Sequence, residues 1–107
     1  FRRVLFRSRR NSYALFLIGA SYLYEENFPR AEKFFTRAIT VGSQNVLAYR
    51  QRAKALMEMK KFKEALEDCE TVLKVDQDDP DVLDMREQIM QQNNWSFPNL
   101  LQKFKFW

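Results

Sequence analysis

The sequence has no histidine, one cysteine, two glycines and three prolines in 107 residues. With no histidine and a single thiol, Cys69, it has neither an internal disulfide nor any metal-ligand spacing. No metal or cofactor is therefore expected. It also lacks a glycine-rich phosphate loop, and no serine or cysteine has a credible base, so an enzyme is not expected. There is no run of about 18 apolar residues that could span a membrane as a helix. Residues 1–10 contain arginines without a long apolar block behind them, so no secretory signal is recognisable. One unpaired cysteine fits a reducing, intracellular setting, cytoplasmic or nuclear. So few glycines and prolines fit an all-helical chain with tight turns.

Acid is missing from one end. Arg2, Arg3, Arg7, Arg9 and Arg10 stand before Asn11 with no acidic residue among them. The remainder holds 13 basic and 14 acidic residues, so the formal charge of +4 comes from that end alone. A nucleic-acid-binding domain is expected to spread its charge over a binding face. The near-neutral remainder therefore argues against RNA binding through the arginine-rich start. Hydrophobic residues make up 46% of the chain, enough for a packed core.

What is present is a repeat of 34 residues. Leu15, Gly19, Tyr22, Phe28, Ala31, Phe35 and Ala38 return as Tyr49, Ala53, Leu56, Phe62, Ala65, Cys69 and Val72. A self-similarity at this period signals stacked pairs of helices. The first copy reads Leu15-x-x-Ile18-Gly19-x-x-Tyr22 and then Ala31-x-x-x-Phe35. The second reads Tyr49-x-x-Arg52-Ala53-x-x-Leu56 and then Ala65-x-x-x-Cys69. On these residues the chain resembles the tetratricopeptide repeat family. It departs from the family pattern at the late proline, where Ser43 and Gln77 stand, and at Arg52, where an apolar residue is usual. The resemblance covers most of residues 12–93. It implies an all-α, right-handed helical-hairpin solenoid of about two full repeats with partial flanking repeats.

The expected division is a second-helix remnant of a preceding repeat at 1–11, repeats at 12–45 and 46–79, and a terminal helix with an aromatic-rich segment at 80–107. Asn11, Asn45 and Asp79 fall at one register position, where a side-chain oxygen can cap the next helix. On this register the chain is expected to be part of a longer solenoid. Helices are expected at about 12–26, from Pro29 to about 41, at 46–59, 62–75 and 80–92, and in a degenerate form from Pro98. Leu15, Ile18, Gly19 and Tyr22 are expected to face the core, with Leu83 and Met90 keeping the register in the last helix. Cys69 takes the place of Phe35 and reads as a buried small hydrophobe rather than a reactive thiol.

In solenoids of this family the first helix of each pair lines a concave surface that holds a peptide; that is what the resemblance implies. The faces left over from core packing are Tyr13, Phe16, Ala20, Leu23 and Tyr24, then Leu47, Arg50, Lys54, Met57 and Glu58, then Asp81, Asp84, Gln88 and Gln91. The groove is expected to be aromatic, then basic, then acidic and polar. The candidate partner-binding residues are Tyr13, Phe16, Ala20, Leu23, Arg50, Lys54 and Met57. Arg50 and Lys54, one turn apart, could both reach an acidic group.

A subset of the family binds the acidic tails of heat-shock chaperones. It uses Lys and Asn in the first such helix, Asn in the second, and Lys and Arg in the third. Phe16, Ala20, Gln51, Asp81 and Met85 stand at those places here, and Asp81 would repel such a tail. The expected function is a non-enzymatic scaffold or adaptor module that binds a protein segment. The alternative is self-association through Trp95, Phe97, Phe104, Phe106 and Trp107.

Overall fold

The structure, a computed structural model, describes residues 2–42 and 45–92, with side chains from residue 10 onward. Five helices follow one another: α1 Arg2–Tyr24, α2 Phe28–Val41, α3 Val46–Glu58, α4 Phe62–Val75 and α5 Pro80–Gln92. Each packs on the next, and α3 also touches α1 and α5. Helices α1, α3 and α5 thus form one layer, with α2 and α4 behind them. This is the helical-hairpin solenoid expected from the repeat.

Both hairpins turn by the same device, 34 residues apart. Glu26 and Lys60 adopt left-handed backbone, each at φ 62°. The Asn27 N–H reaches the Tyr22 carbonyl at 2.9 Å, and the Lys61 N–H reaches the Leu56 carbonyl at 2.8 Å. These bonds satisfy carbonyls that the helix end would otherwise leave open. The next helix starts at once. The Asn27 side chain accepts from the Arg30 N–H, and Pro29 occupies the first turn of α2, where its missing donor is no loss.

A second joint links the hairpins. The Ser12 hydroxyl, 3% exposed, donates to the Ala38 carbonyl at 2.8 Å and accepts from Asn45 Nδ2 at 2.9 Å. The Asn45 side-chain oxygen Oδ1 accepts from the Ala48 N–H at 3.1 Å and so caps α3. Gly42 is required beside them, because a Cβ there would lie 2.8 Å from the Ser12 oxygen. One small polar relay therefore fixes α1, the end of α2 and the start of α3 together.

The core has two parts. Around Phe35, Ala31 and Ala55 gather Phe16, Tyr22, Leu23 and Phe28. Leu56, Cys69, Val72, Val82, Met85 and Ile89 are among the members of the other. Fully burying side chains such as Phe35, Leu56 or Ile89 contributes roughly 1.5–3 kcal/mol each.

Three expectations need correction. First, α1 does not begin at Ser12; it runs unbroken through Asn11 from Arg2. The helices before Asn45 and Asp79 end at Gly42 and Asp76, but Ser8 holds that register position, and no glycine or proline interrupts residues 2–17. A capping residue without a break before it does not start a helix. Second, Ile18 does not face the core and is 42% exposed. Its counterpart Arg52 reaches back to Thr36 on α2, and no described element stands in the matching place beside α1. Third, α5 buries Val82, Met85 and Ile89, while Leu83 and Met90 are only half-buried. Val82 and Ile89 are the counterparts of Ala48 and Ala55, so α5 packs by the stripe that faces the preceding hairpin. The degenerate helix from Pro98 and the aromatic residues Trp95, Phe97, Phe104, Phe106 and Trp107 lie outside the described residues.

Candidate functional site

The layer of α1, α3 and α5 carries a groove of about 520 Å³ that runs from the end of α1 across α3 to the first turns of α5. Leu23 and Tyr24 reach it from the last turn of α1, with Glu26 from the turn and Phe28 from the start of α2. Helix α3 contributes Lys54, Met57 and Glu58, and α5 contributes Asp81, Asp84, Met85 and Gln88. The helical period explains the set: residues three and four apart on each helix share a face. Leu23, Phe28, Met57 and Met85 are buried or half-buried and form an apolar floor. Tyr24 stands at the rim, 92% exposed. Two methionines give the floor an adaptable surface, because their unbranched chains repack easily.

The candidate residues divide. Leu23, Lys54 and Met57 line the groove together. Tyr13, Phe16 and Ala20 lie nearer the start of α1 and do not line it. Phe16 packs on the core, its ring 5.9 Å from that of Phe35, and Tyr13 stacks on Phe16 at 6.0 Å while remaining half-open to solvent. Of the other groove residues, Tyr24, Glu58, Asp81, Asp84 and Gln88 follow from the helical faces. Glu26, Phe28 and Met85 do not: Glu26 belongs to the turn, Phe28 opens α2, and Met85 faces both core and groove.

Arg50 does not join Lys54 as a second free cation. Its guanidinium pairs with Asp79, which is 3% exposed. The other oxygen of Asp79 accepts from the N–H groups of Asp81 and Val82 at 3.1 and 3.4 Å, capping α5. Arg50 thus ties α3 to the start of α5, and its charge is already answered. The sequence signal for this lay in Asp79 before Pro80, which marks a helix start but not the cation that reaches it.

The described residues leave the groove with one basic and four acidic side chains: Lys54 against Glu26, Glu58, Asp81 and Asp84. Among the described residues none of the five is in an ion pair. Asp84 accepts from the Gln88 amide at 2.9 Å. Cys69 lies elsewhere, in the core. Burial, with smaller contributions from Asp68 and Glu70, pushes its thiol up to about 11, so it stays protonated and unreactive at neutral pH. Among the described residues no group of three acids or thiols could hold a metal, and no helix is long and apolar enough to cross a membrane.

Comparison with known proteins fits this geometry. The sequence model of the tetratricopeptide repeat matches residues 46–79, the span of α3, α4 and the loop after them. This is a tetratricopeptide-repeat fold. Stress-induced-phosphoprotein 1 of Caenorhabditis elegans is 29% identical over 58 residues, 54% of this chain. The chain spans only 18% of that relative's length. Two solved tetratricopeptide-repeat domains superpose well. The second such domain of human RPAP3, in complex with the HSP70 peptide SGPTIEEVD, has a TM-score of 0.70 at 26% identity, covering 74% of this chain and 66% of that one. The second such domain of Spaghetti (RPAP3), bound to the HSP90 peptide SRMEEVD, has a TM-score of 0.77 at 21% identity, covering 92% and 91%.

Proposed function

We propose that this chain is a non-enzymatic protein-interaction module of the scaffold or adaptor kind, working inside the cell, which holds a partner segment in the groove of α1, α3 and α5. The repeats are assigned to 12–45 and 46–79, with 80–107 as a partial one. The observation that carries this reading is the apolar floor of Leu23, Phe28, Met57 and Met85 under an almost fully exposed Tyr24. Aromatic and methionine side chains over a desolvated floor are the usual anchors of a protein interface. Support also comes from the two solved domains of this fold that hold bound peptides. Leu23, Met57 and Lys54 are assigned to contact the segment, and Tyr13, Phe16 and Ala20 extend the same face along α1. Arg50 is assigned the indirect task of holding α5 in place through Asp79.

The test is selection of peptides from a random phage library on the immobilised chain. Selected peptides are expected to lose at least about tenfold in affinity on Met57→Asp, since a charge on the floor opposes burial of an apolar anchor. The same peptides are expected to ignore Val75→Asp at the exposed end of α4. Peptides that bind with equal affinity to the Met57→Asp protein would place the binding face elsewhere.

A further inference from the structure

We propose that the segment held in this groove is basic: a large apolar side chain flanked by lysine or arginine. This rests on the groove being the binding face and concerns the chemistry of its occupant. The floor asks for an apolar anchor, and Tyr24 offers it a ring to lie against. The rim decides the flanks. Glu26 lies at the α1 end, Glu58 on α3, and Asp81 and Asp84 on α5, so acid meets the segment from three sides. Among the described residues, Lys54 is the sole basic side chain lining the groove, because Arg50 is spent on Asp79.

Charge complementarity across an interface sets which partners are admitted and excludes the wrong sign. The peptides in the two solved neighbours, SGPTIEEVD and SRMEEVD, each carry two glutamates and an aspartate. In this groove those three carboxylates would meet four more, with one lysine to offset them. The fold is shared, and the charge of the groove runs against those ligands.

The test is fluorescence anisotropy with three short labelled probes: a leucine between two pairs of lysines, the same peptide with glutamates for the lysines, and SRMEEVD. The lysine probe is expected to bind at least about tenfold tighter than either acidic probe at low salt. The gap is expected to narrow as NaCl rises from about 0.05 to about 0.5 M. Asp81→Lys with Asp84→Lys is expected to reverse the order. Glu58→Lys, on the exposed rim of α3, should narrow the gap without altering α5, and so covers the case in which the double variant misfolds. Tighter or equal binding of an acidic probe that is lost on Met57→Asp would overturn the charge assignment and leave the groove standing. No binding of any probe would overturn both readings. A concentration-dependent dimer abolished by Glu58→Lys would make a second copy the occupant and overturn the assignment to a partner.

Discussion

The two hairpins occupy the same shape with opposite distributions of bulk. In the first, Gly19 faces Phe35; in the second, the same register positions hold Ala53 and Cys69. A Cβ on Gly19 would lie 2.7 Å from two atoms of the Phe35 ring, a distance that real contacts do not tolerate. Ala53 keeps its methyl because the residue across from it is small. The neighbouring pair differs in kind. Ile18 and Phe34 in the first hairpin correspond to Arg52 and Asp68 in the second. Phe34 stacks on Tyr22 at 5.5 Å. Arg52 instead makes a two-pronged bond to Asp68, with distances of 2.7 and 2.6 Å, and reaches Thr36 at 3.3 Å. Its hydrogen bonds to Asp68 hold the guanidinium above its ordinary value, against the opposing pull of burial. What the repeat preserves is the summed volume at a crossing and the satisfaction of its polar atoms, rather than residue identity.

The largest test of that difference is truncation at the paired positions. Phe35→Ala should cost about 3–5 kcal/mol, because a fully buried ring leaves a cavity that Gly19 cannot fill. Cys69→Ala, at the same register, should cost only about 1 kcal/mol, since one sulfur atom is removed. Urea melts followed by circular dichroism would measure both. Equal losses would mean that the hairpins do not divide their bulk as the packing indicates.

Next in size is the ion pair that only the second hairpin has. Asp68→Ala should cost about 2–3 kcal/mol, because it leaves the mostly buried Arg52 guanidinium unpaired beside α4. Making Arg52→Ile and Asp68→Phe together imports the first hairpin's apolar pair. That double variant should lie within about 1 kcal/mol of the parent, as buried pairs often can be replaced by packed apolar groups. A double variant less stable than Asp68→Ala alone would show that the ion pair is needed for more than filling the site.

Much of this was legible in the 34-residue period. The bounds of α4 and α5 came out as expected, and α3 ended one residue early, because proline, glycine and acidic breaks stand where the register wants them. The faces of three helices already named Leu23, Tyr24, Lys54, Met57, Glu58, Asp81, Asp84 and Gln88, since a helical face is set by spacing alone. What spacing does not carry is the partner of a side chain. Arg50 looked free because Asp79 is 29 residues away in sequence. Ile18 looked buried because its counterpart is covered by a helix that has no described equivalent beside α1. Ser12 and Asn45 look like ordinary polar residues until the chain folds them into one relay.

The finest test turns on a change of sign. Gly19→Ala in the parent chain sets two effects against each other. Alanine is favoured over glycine inside a helix by about 1 kcal/mol. The new methyl must displace the Phe35 ring, and overpacking of this sort costs about 1–3 kcal/mol. The ring has little room to yield, because Phe35 is fully buried and the Phe16 ring packs against it. Gly19→Ala should therefore destabilise by about 1 kcal/mol net. In a Phe35→Leu background the obstruction is smaller, and the same substitution should stabilise by about 0.5 kcal/mol as helix propensity takes over. A double-mutant cycle reads the difference as a coupling between residues 19 and 35. The matching cycle at residues 53 and 69, run with Ala53→Gly and Cys69→Ala, should show almost none. Coupling of the same size in both hairpins would mean that Gly19 answers to the helix crossing itself rather than to the ring of Phe35.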